Sequence, residues 1–299
     1  HNTMQKGGIC MDTAVVIKNI SNAFTISANG KTYVASCRGN LKSDKVVVGD
    51  KVAFEMMGQK AVITKVLERK NILIRPNIAN VDNLIIVLSP LPKPDYILID
   101  KLILMCLDND IKPIICANKE DLSSDFAQEV ITQYKDVVLD VVSVSAKENK
   151  GIDNLTKLLY GKISAFAGQS AVGKSTILNA LMNQSIAATG EVSEKTQRGR
   201  HTTRHTEMFV LGKDSYIIDT PGFSMLNIPN ITYDNLKFYY PDFSEFECKY
   251  TSCTHTKESQ DECGIKQAVR DGKIDKDRFD RYNYIYNELK TRKKVYEKN

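Results

Sequence analysis

Eight consecutive residues, Gly168-Gln169-Ser170-Ala171-Val172-Gly173-Lys174-Ser175, form a complete GxxxxGK[ST] pattern. The chemistry explains the residue types. Glycines let the backbone curl so that successive N–H groups face phosphate oxygens at the positive end of a new helix. Lys174 is placed to reach the β- and γ-phosphates. The Ser175 hydroxyl suits Mg²⁺, with Thr176 beside it in the first helical turn. The pattern comes after the apolar run Ile163-Ser164-Ala165-Phe166-Ala167 and precedes a helix-like run over 175–183, the strand–loop–helix context it requires. This chain therefore binds a nucleoside triphosphate.

A second group selects the base. Asn118-Lys119-Glu120-Asp121 ends one apolar run, and Ser145-Ala146-Lys147 ends the next. The Asp121 carboxylate can accept from guanine N1–H and the exocyclic amine, donors that adenine lacks. Loss of such a polar pairing costs four to five orders of magnitude in discrimination. Lys119 is expected to lie along the base, and the Ala146 backbone N–H to read O6. A third group handles the γ-phosphate. Asp219-Thr220-Pro221-Gly222 places Asp219 on Mg²⁺ and the Gly222 N–H near the phosphate. Upstream, Gly199-Arg200-His201-Thr202-Thr203-Arg204 reads as a switch with a Mg²⁺-reaching hydroxyl, Thr203 preferred over Thr202. Phe223 stands where many GTPases carry the water-orienting glutamine, so unaided hydrolysis is expected to be slow, on the order of 10⁻³ s⁻¹ or less. His201 is the candidate replacement, as a base or water-orienting group, set against an ordinary loop histidine. His205 reads as the blander of the two.

A separate set, Cys248, Cys253, His255 and Cys263, offers three thiolates and one imidazole within sixteen residues. Cys₃His is a structural Zn²⁺ set with no open position, so it carries no catalysis. The other four cysteines are scattered in apolar contexts. That distribution argues for a reducing cytoplasm and not for a disulfide framework.

These residues need elements to hold them. Six short β-rich runs over 14–74, split by turn signals, predict a small OB-fold barrel spanning 12–75. Lys31, Tyr33, Arg38, Lys42 and Lys45 give it a basic face suited to RNA. From 76 to 230, strands at 84–88, 114–117, 137–144, 163–167, 207–211 and 216–218 alternate with helices at 96–107, 125–134, 152–159 and 175–182. That alternation predicts a mainly parallel sheet covered on both faces. The boundary is set at Arg75-Pro76, where proline stops a strand. Residues 231–299 are expected to be a mainly helical zinc-binding domain, ending in a helix with Lys290, Arg292, Lys293 and Lys294 clustered. Residues 1–11 show neither signal nor transit character and are read as an appended leader outside the fold. Among 299 residues no apolar run is long enough to cross a membrane, and the net charge of +5 mildly favours an acidic partner.

The order of the motifs is unusual. The guanine motifs precede the phosphate loop and the switches come after it, so the GTPase is circularly permuted. Each motif still stays at its own strand's carboxyl end. Barrel, permuted GTPase and Cys₃His segment together resemble the RsgA/YjeQ family, through NKED, GQSAVGKS, GRHTT, DTPGF and CTH. The resemblance implies a factor that binds the nearly mature small ribosomal subunit and its rRNA in the GTP form. It implies departure after subunit-stimulated hydrolysis to GDP, inhibition by ppGpp at the same site, and a monomer. Ala171 replaces the family's usual glycine, which is expected to be tolerated if no positive φ is required. Two rivals stay open: a permuted GTPase acting on the large subunit, and a GTP-gated RNA-binding scaffold with little turnover.

Overall fold

The computed structural model describes residues 3–6, 9–21, 23–39, 41, 45–189, 206–212, 214–219, 228 and 230–296. The barrel comes first in the chain. Strands β1 (Thr3–Lys6), β2 (Ile9–Ile20), β3 (Ala23–Ala28), β4 (Lys31–Cys37), β5 (Lys51–Met57) and β6 (Lys60–Val66) form a sheet in the order β1-β2-β3-β4-β6-β5. Pairing of β2 with β5 closes β2 to β6 into a five-stranded barrel, and β4 runs parallel to β6. Alternation drives the closure: Val16, Phe24, Ile26, Val52, Phe54 and Ile63 face one core.

Three expectations change here. Residues 3–6 and 9–11, expected to be a leader outside the fold, lie in strands that pair from Thr3↔Asp12 to Lys6↔Ile9. Of the six β-rich runs expected over 14–74, the one at 46–55 is strand only from Lys51. Asp50 accepts the Val47 N–H at 2.8 Å and pairs with Arg69 at 2.7 Å, so a local carboxylate outcompetes the ladder. Finally, β7 (Ile72–Ile74) does not join the barrel; it pairs with β8 (Asn77–Ala79), and Arg75-Pro76 is the turn between them. Proline stops the strand as expected, but the chain folds back instead of passing to a new domain. This hairpin joins the barrel to the strand–helix unit beyond it. Gly49 approaches it so closely that a Cβ there would lie 2.1 Å from the Ala79 carbonyl oxygen.

The central unit comprises β9 (Asn83–Leu88), α1 (Tyr96–Asp108), β10 (Lys112–Asn118), α2 (Ser124–Tyr134), β11 (Asp140–Val144), α3 (Ile152–Leu159), β12 (Ile163–Ala167), α4 (Lys174–Thr189), β13 (Glu207–Gly212) and β14 (Ser215–Asp219). The sheet order is β11-β10-β9-β12-β14-β13, parallel except for β13 against β14. Every residue of β9 and β12 is buried, which is why these strands read as continuous apolar runs. Helices α3 and α4 cover one face, with Leu155, Leu159, Ile177 and Leu181 against Ile85, Val87 and Phe166.

The other face is covered by α1 and α2, and behind them by the C-terminal segment. That segment has short 3₁₀ turns, then α5 (Gly264–Arg270) and α6 (Lys276–Tyr296). Its Phe279, Tyr282, Ile285 and Leu289 share one core with Ile99, Leu102 and Ile103 of α1. The central unit and the C-terminal segment are thus packed together, not merely tethered.

Candidate guanine-nucleotide site and metal centre

All the described motif residues sit at the carboxyl ends of neighbouring strands. Asn118 closes β10, Ser145 follows β11, Gly168 follows β12 and Asp219 closes β14. This is where open α/β sheets place ligands. Gly168 has φ 124°, and a Cβ there would lie 2.2 Å from the Val87 carbonyl oxygen. Gly173 has φ 101°, and its Cβ would lie 2.2 Å from the Asn118 amide nitrogen. Both glycines are required by backbone conformation and by close approach.

Asn118 is the keystone. Its Nδ2 donates to the Val172 carbonyl at 2.9 Å, and its Oδ1 accepts the Ala146 N–H at 3.2 Å. One buried side chain thereby fixes the phosphate loop against the SAK turn. The Ala146 N–H expected to read O6 is shared with Asn118. Lys119, at φ 66°, donates to the carbonyls of Ala171 at 2.9 Å and Leu91 at 2.5 Å, which stretches its stem across the mouth of the base site. Ser145 Oγ donates to Asp121 Oδ1 at 2.8 Å, which orients the carboxylate and leaves its other oxygen for the base.

Asn118, Lys119, Asp121, Ala146, Lys147, Gly173 and Thr176 line a cavity of 300 Å³ together with Leu122. Sequence reasoning missed Leu122. Its signal was an apolar residue directly after NKED, which the 3₁₀ turn at Glu120–Leu122 leaves exposed at the cavity wall.

Lys174 donates to the carbonyls of Gly168 at 2.8 Å and Gln169 at 2.5 Å. Burial pushes its amine below the ordinary lysine value, and the Asp219 carboxylate opposes that shift. The two groups proposed for γ-phosphate and Mg²⁺ therefore feel each other. Ser170, Ser175 and Thr176 are exposed at the loop, as ligand-facing groups must be.

One expectation about the loop is corrected. Ala171 has φ 64°, so this position does adopt the left-handed region. A Cβ there costs roughly 1 kcal/mol or more, a strain the family's usual glycine avoids. His201, Thr202, Thr203, His205, Gly222 and Phe223 lie outside the described residues.

The Cys₃His set converges. His255 Nδ1 lies 3.5 Å from Cys248 Sγ, 3.4 Å from Cys253 Sγ and 3.5 Å from Cys263 Sγ. Cys248 and Cys263 sulfurs are 3.9 Å apart. With metal–ligand bonds of about 2.3 Å for sulfur and 2.0 Å for nitrogen, tetrahedral edges come to roughly 3.5–3.8 Å. The four atoms therefore fit a closed zinc site through Nδ1. Burial pushes the imidazole down to about 4, so His255 stays neutral and free to ligate. Glu258 organises the loop by accepting the N–H groups of Thr254 at 2.9 Å, Thr256 at 3.1 Å and Lys257 at 3.1 Å.

On the barrel, Lys31, Arg38 and Lys45 are exposed, Tyr33 is half-buried against Phe54 at 5.9 Å, and Lys42 lies outside the described residues. On α6, Arg292 is exposed and pairs with Glu288, while Lys290 lies over the Tyr286 ring at 5.8 Å. No helix among the described residues is long and apolar enough to cross a membrane.

Comparison with known proteins agrees with this architecture. The family model for the RsgA GTPase matches residues 66–229. The small ribosomal subunit biogenesis GTPase RsgA of Ruminiclostridium cellulolyticum is 39% identical, over 94% of each chain. The protein of that name from a Geobacillus species is 37% identical, over 94% of this chain and 98% of its own. Among solved structures, YjeQ from Thermotoga maritima has a TM-score of 0.77 at 32% identity, covering 93% of this chain and 98% of its own. YloQ, described as a circularly permuted GTPase, has a TM-score of 0.76 at 31% identity, covering 94% and 96%. The sheet order, the motif order and these likenesses agree: this chain belongs to the RsgA family of circularly permuted GTPases.

Proposed function

We propose that this GTPase binds the small ribosomal subunit late in its maturation, hydrolyses GTP to GDP and phosphate when that subunit stimulates it, and leaves in the GDP form. One observation supports the nucleotide half most directly. Asn118 bonds the phosphate loop and the SAK turn together, beside a cavity whose polar floor, Asp121, is oriented for guanine. The names of the relatives support the ribosomal half.

In this reading the loop N–H groups and Lys174 hold the β- and γ-phosphates. Ser175, Thr203 and Asp219 are the residues that would hold Mg²⁺, which supplies charge neutralisation at the phosphates. Water attacks the γ-phosphorus and GDP departs as the leaving group. With Phe223 after Asp219-Thr220-Pro221-Gly222, the chain itself orients that water poorly. His201 is the residue assigned to do so once the subunit orders the switch. Cys248, Cys253, His255 and Cys263 are the residues that would hold a structural zinc, which would add folding energy to the segment. Exposed Lys31, Arg38 and Lys45 on the barrel serve as the rRNA contact. ppGpp competes at the same site, because it offers the same guanine edge and 5′-phosphates. The protein acts as a cytoplasmic monomer.

The test is GTP turnover by the protein alone, with small subunits, and with large subunits. Strong stimulation by small subunits only is expected, largely lost in His201→Ala. Stimulation by large subunits alone would transfer the protein to the other assembly pathway. Tight GTP binding with no stimulation by either would leave an RNA-binding scaffold.

A further inference from the structure

The loop between β9 and α1 belongs to none of the nucleotide motifs, yet three bonds from the site end on it. Lys119 donates to the Leu91 carbonyl at 2.5 Å, Gln169 Nε2 donates to the Lys93 carbonyl at 3.3 Å, and the Asp95 N–H donates to Gln169 Oε1 at 2.9 Å. The Gln169 amide therefore bridges the phosphate loop to the residue that caps α1, since Asp95 Oδ1 accepts the Leu98 N–H at 3.0 Å.

Five residues further on, about 8 Å along the helix, Asp100 is buried under three donors. Arg281 Nε lies at 2.6 Å, Tyr134 Oη at 2.8 Å and Arg278 Nη1 at 3.1 Å. Both arginines come from α6. Arg278 also grips Asp242 with two bonds, at 2.8 and 3.1 Å. On the same helix, Tyr282 Oη donates at 2.9 Å to the carbonyl of Thr254, between the metal ligands Cys253 and His255. Polar contacts and two helices, α1 and α6, thus run from the phosphate loop to the Cys₃His loop.

The physical consequence comes from burial. Removing a partner from a buried charge cluster is strongly unfavourable, so α6 cannot shift on α1 without carrying α1 with it. Because Gln169 ties the start of α1 to the phosphate loop, the loop and the seat of α6 share one element. We propose that Gln169 is a positioning residue whose side chain couples nucleotide affinity to the seating of the zinc segment on α1. The proposal rests on the guanine-nucleotide reading above.

A double-mutant cycle on the full-length protein tests it, with fluorescent GDP and a non-hydrolysable GTP analogue as probes. Arg281→Gln should weaken nucleotide binding about three- to tenfold in the Gln169 background. It should change nothing further in Gln169→Ala. Residues more than about 10 Å apart with no shared partner add independently, so a merely structural role for each gives equal effects in both backgrounds. Tyr134→Phe removes the hydroxyl that donates to Asp100 and accepts from Arg281 at 3.2 Å, leaving both charges in place. It should show the same non-additivity with a smaller effect, and it serves where Arg281→Gln folds poorly. By reciprocity, saturating nucleotide should slow hydrogen exchange in α6 of the wild type but not of Gln169→Ala. Additive effects, or none from either Arg281→Gln or Tyr134→Phe, would overturn the coupling. Failure of the wild type to bind any guanine nucleotide would instead remove the reading beneath it.

Discussion

The nucleotide site and the Cys₃His cluster both bring donor atoms to a small space, by opposite routes. The cluster's four ligands lie within sixteen residues of one another, and no β-strand separates them. The nucleotide site gathers groups from the ends of β10, β11, β12 and β14, a span of about a hundred residues. In the first case a bound metal would add ordering energy to the apolar packing of Phe243 and Tyr282 against His255. In the second the sheet supplies the order, and the ligand finds donors already oriented. Asn118 shows the second route at its clearest, because it bonds Val172 and Ala146, residues 54 and 28 positions away.

The largest effect should come from breaking the local site. Zinc chelation, or Cys253→Ser, removes a binding free energy on the order of 10 kcal/mol that is also folding energy. Hydrogen exchange over 244–270 should rise to unprotected rates while β9, β10 and β12 stay protected. Loss of protection in both regions together would show that the two sites do not draw their order from different sources.

Next comes the distributed site. Asp121→Asn removes the acceptor for guanine N1–H and the exocyclic amine, and the GTP-over-ATP preference should fall by about four orders of magnitude. Competition titration with a fluorescent nucleotide measures it. The same variant should leave the melting temperature of the nucleotide-free protein nearly unchanged, since Ser145 can still donate to the amide oxygen.

A smaller effect tests the seam between the two regions. Asp100→Asn leaves the buried Arg281 without its carboxylate partner and Arg278 with Asp242 alone, and should cost about 3–5 kcal/mol in urea unfolding. A loss below about 1 kcal/mol would mean that the apolar contact of α1 with α6 alone holds the segment. Smallest of all, Ala171→Gly relieves the positive φ and should stabilise the protein by about 1 kcal/mol, read as a rise in melting temperature. A destabilisation would show that the loss of unfolded-chain freedom at Ala171 outweighs the strain.

The two regions also differ in how far they are legible in the chain. Cys248, Cys253, His255 and Cys263 announce a metal by type alone, and the structure needs only a tight loop to bring them together. The helices and parallel strands of the central unit are legible because their apolar runs are long and their periods distinct. β12 and α3 fall on the ranges expected for them. The barrel is harder. A short strand and a buried turn both present three consecutive valines at Val46, Val47 and Val48, and only the Asp50–Arg69 pair makes that stretch a turn. The hairpin around Arg75-Pro76 reads as a boundary because proline marks both.

The motif residues, the metal ligands, the strand–helix alternation and the permuted order can all be read along the chain, because each rests on local chemistry or on the period of apolar residues. Packing in three dimensions settled the rest: that Ala171 takes a left-handed conformation, that Asn118 locks two motifs together, and that Gln169 reaches Asp95 across 74 positions. It also settled that Asp100 of α1 meets two arginines of α6, the nearer of them 178 positions along the chain. Contacts of this kind leave no trace in spacing. They depend on which helix faces which, and that is set by the burial of whole apolar faces and not by any residue's immediate neighbours.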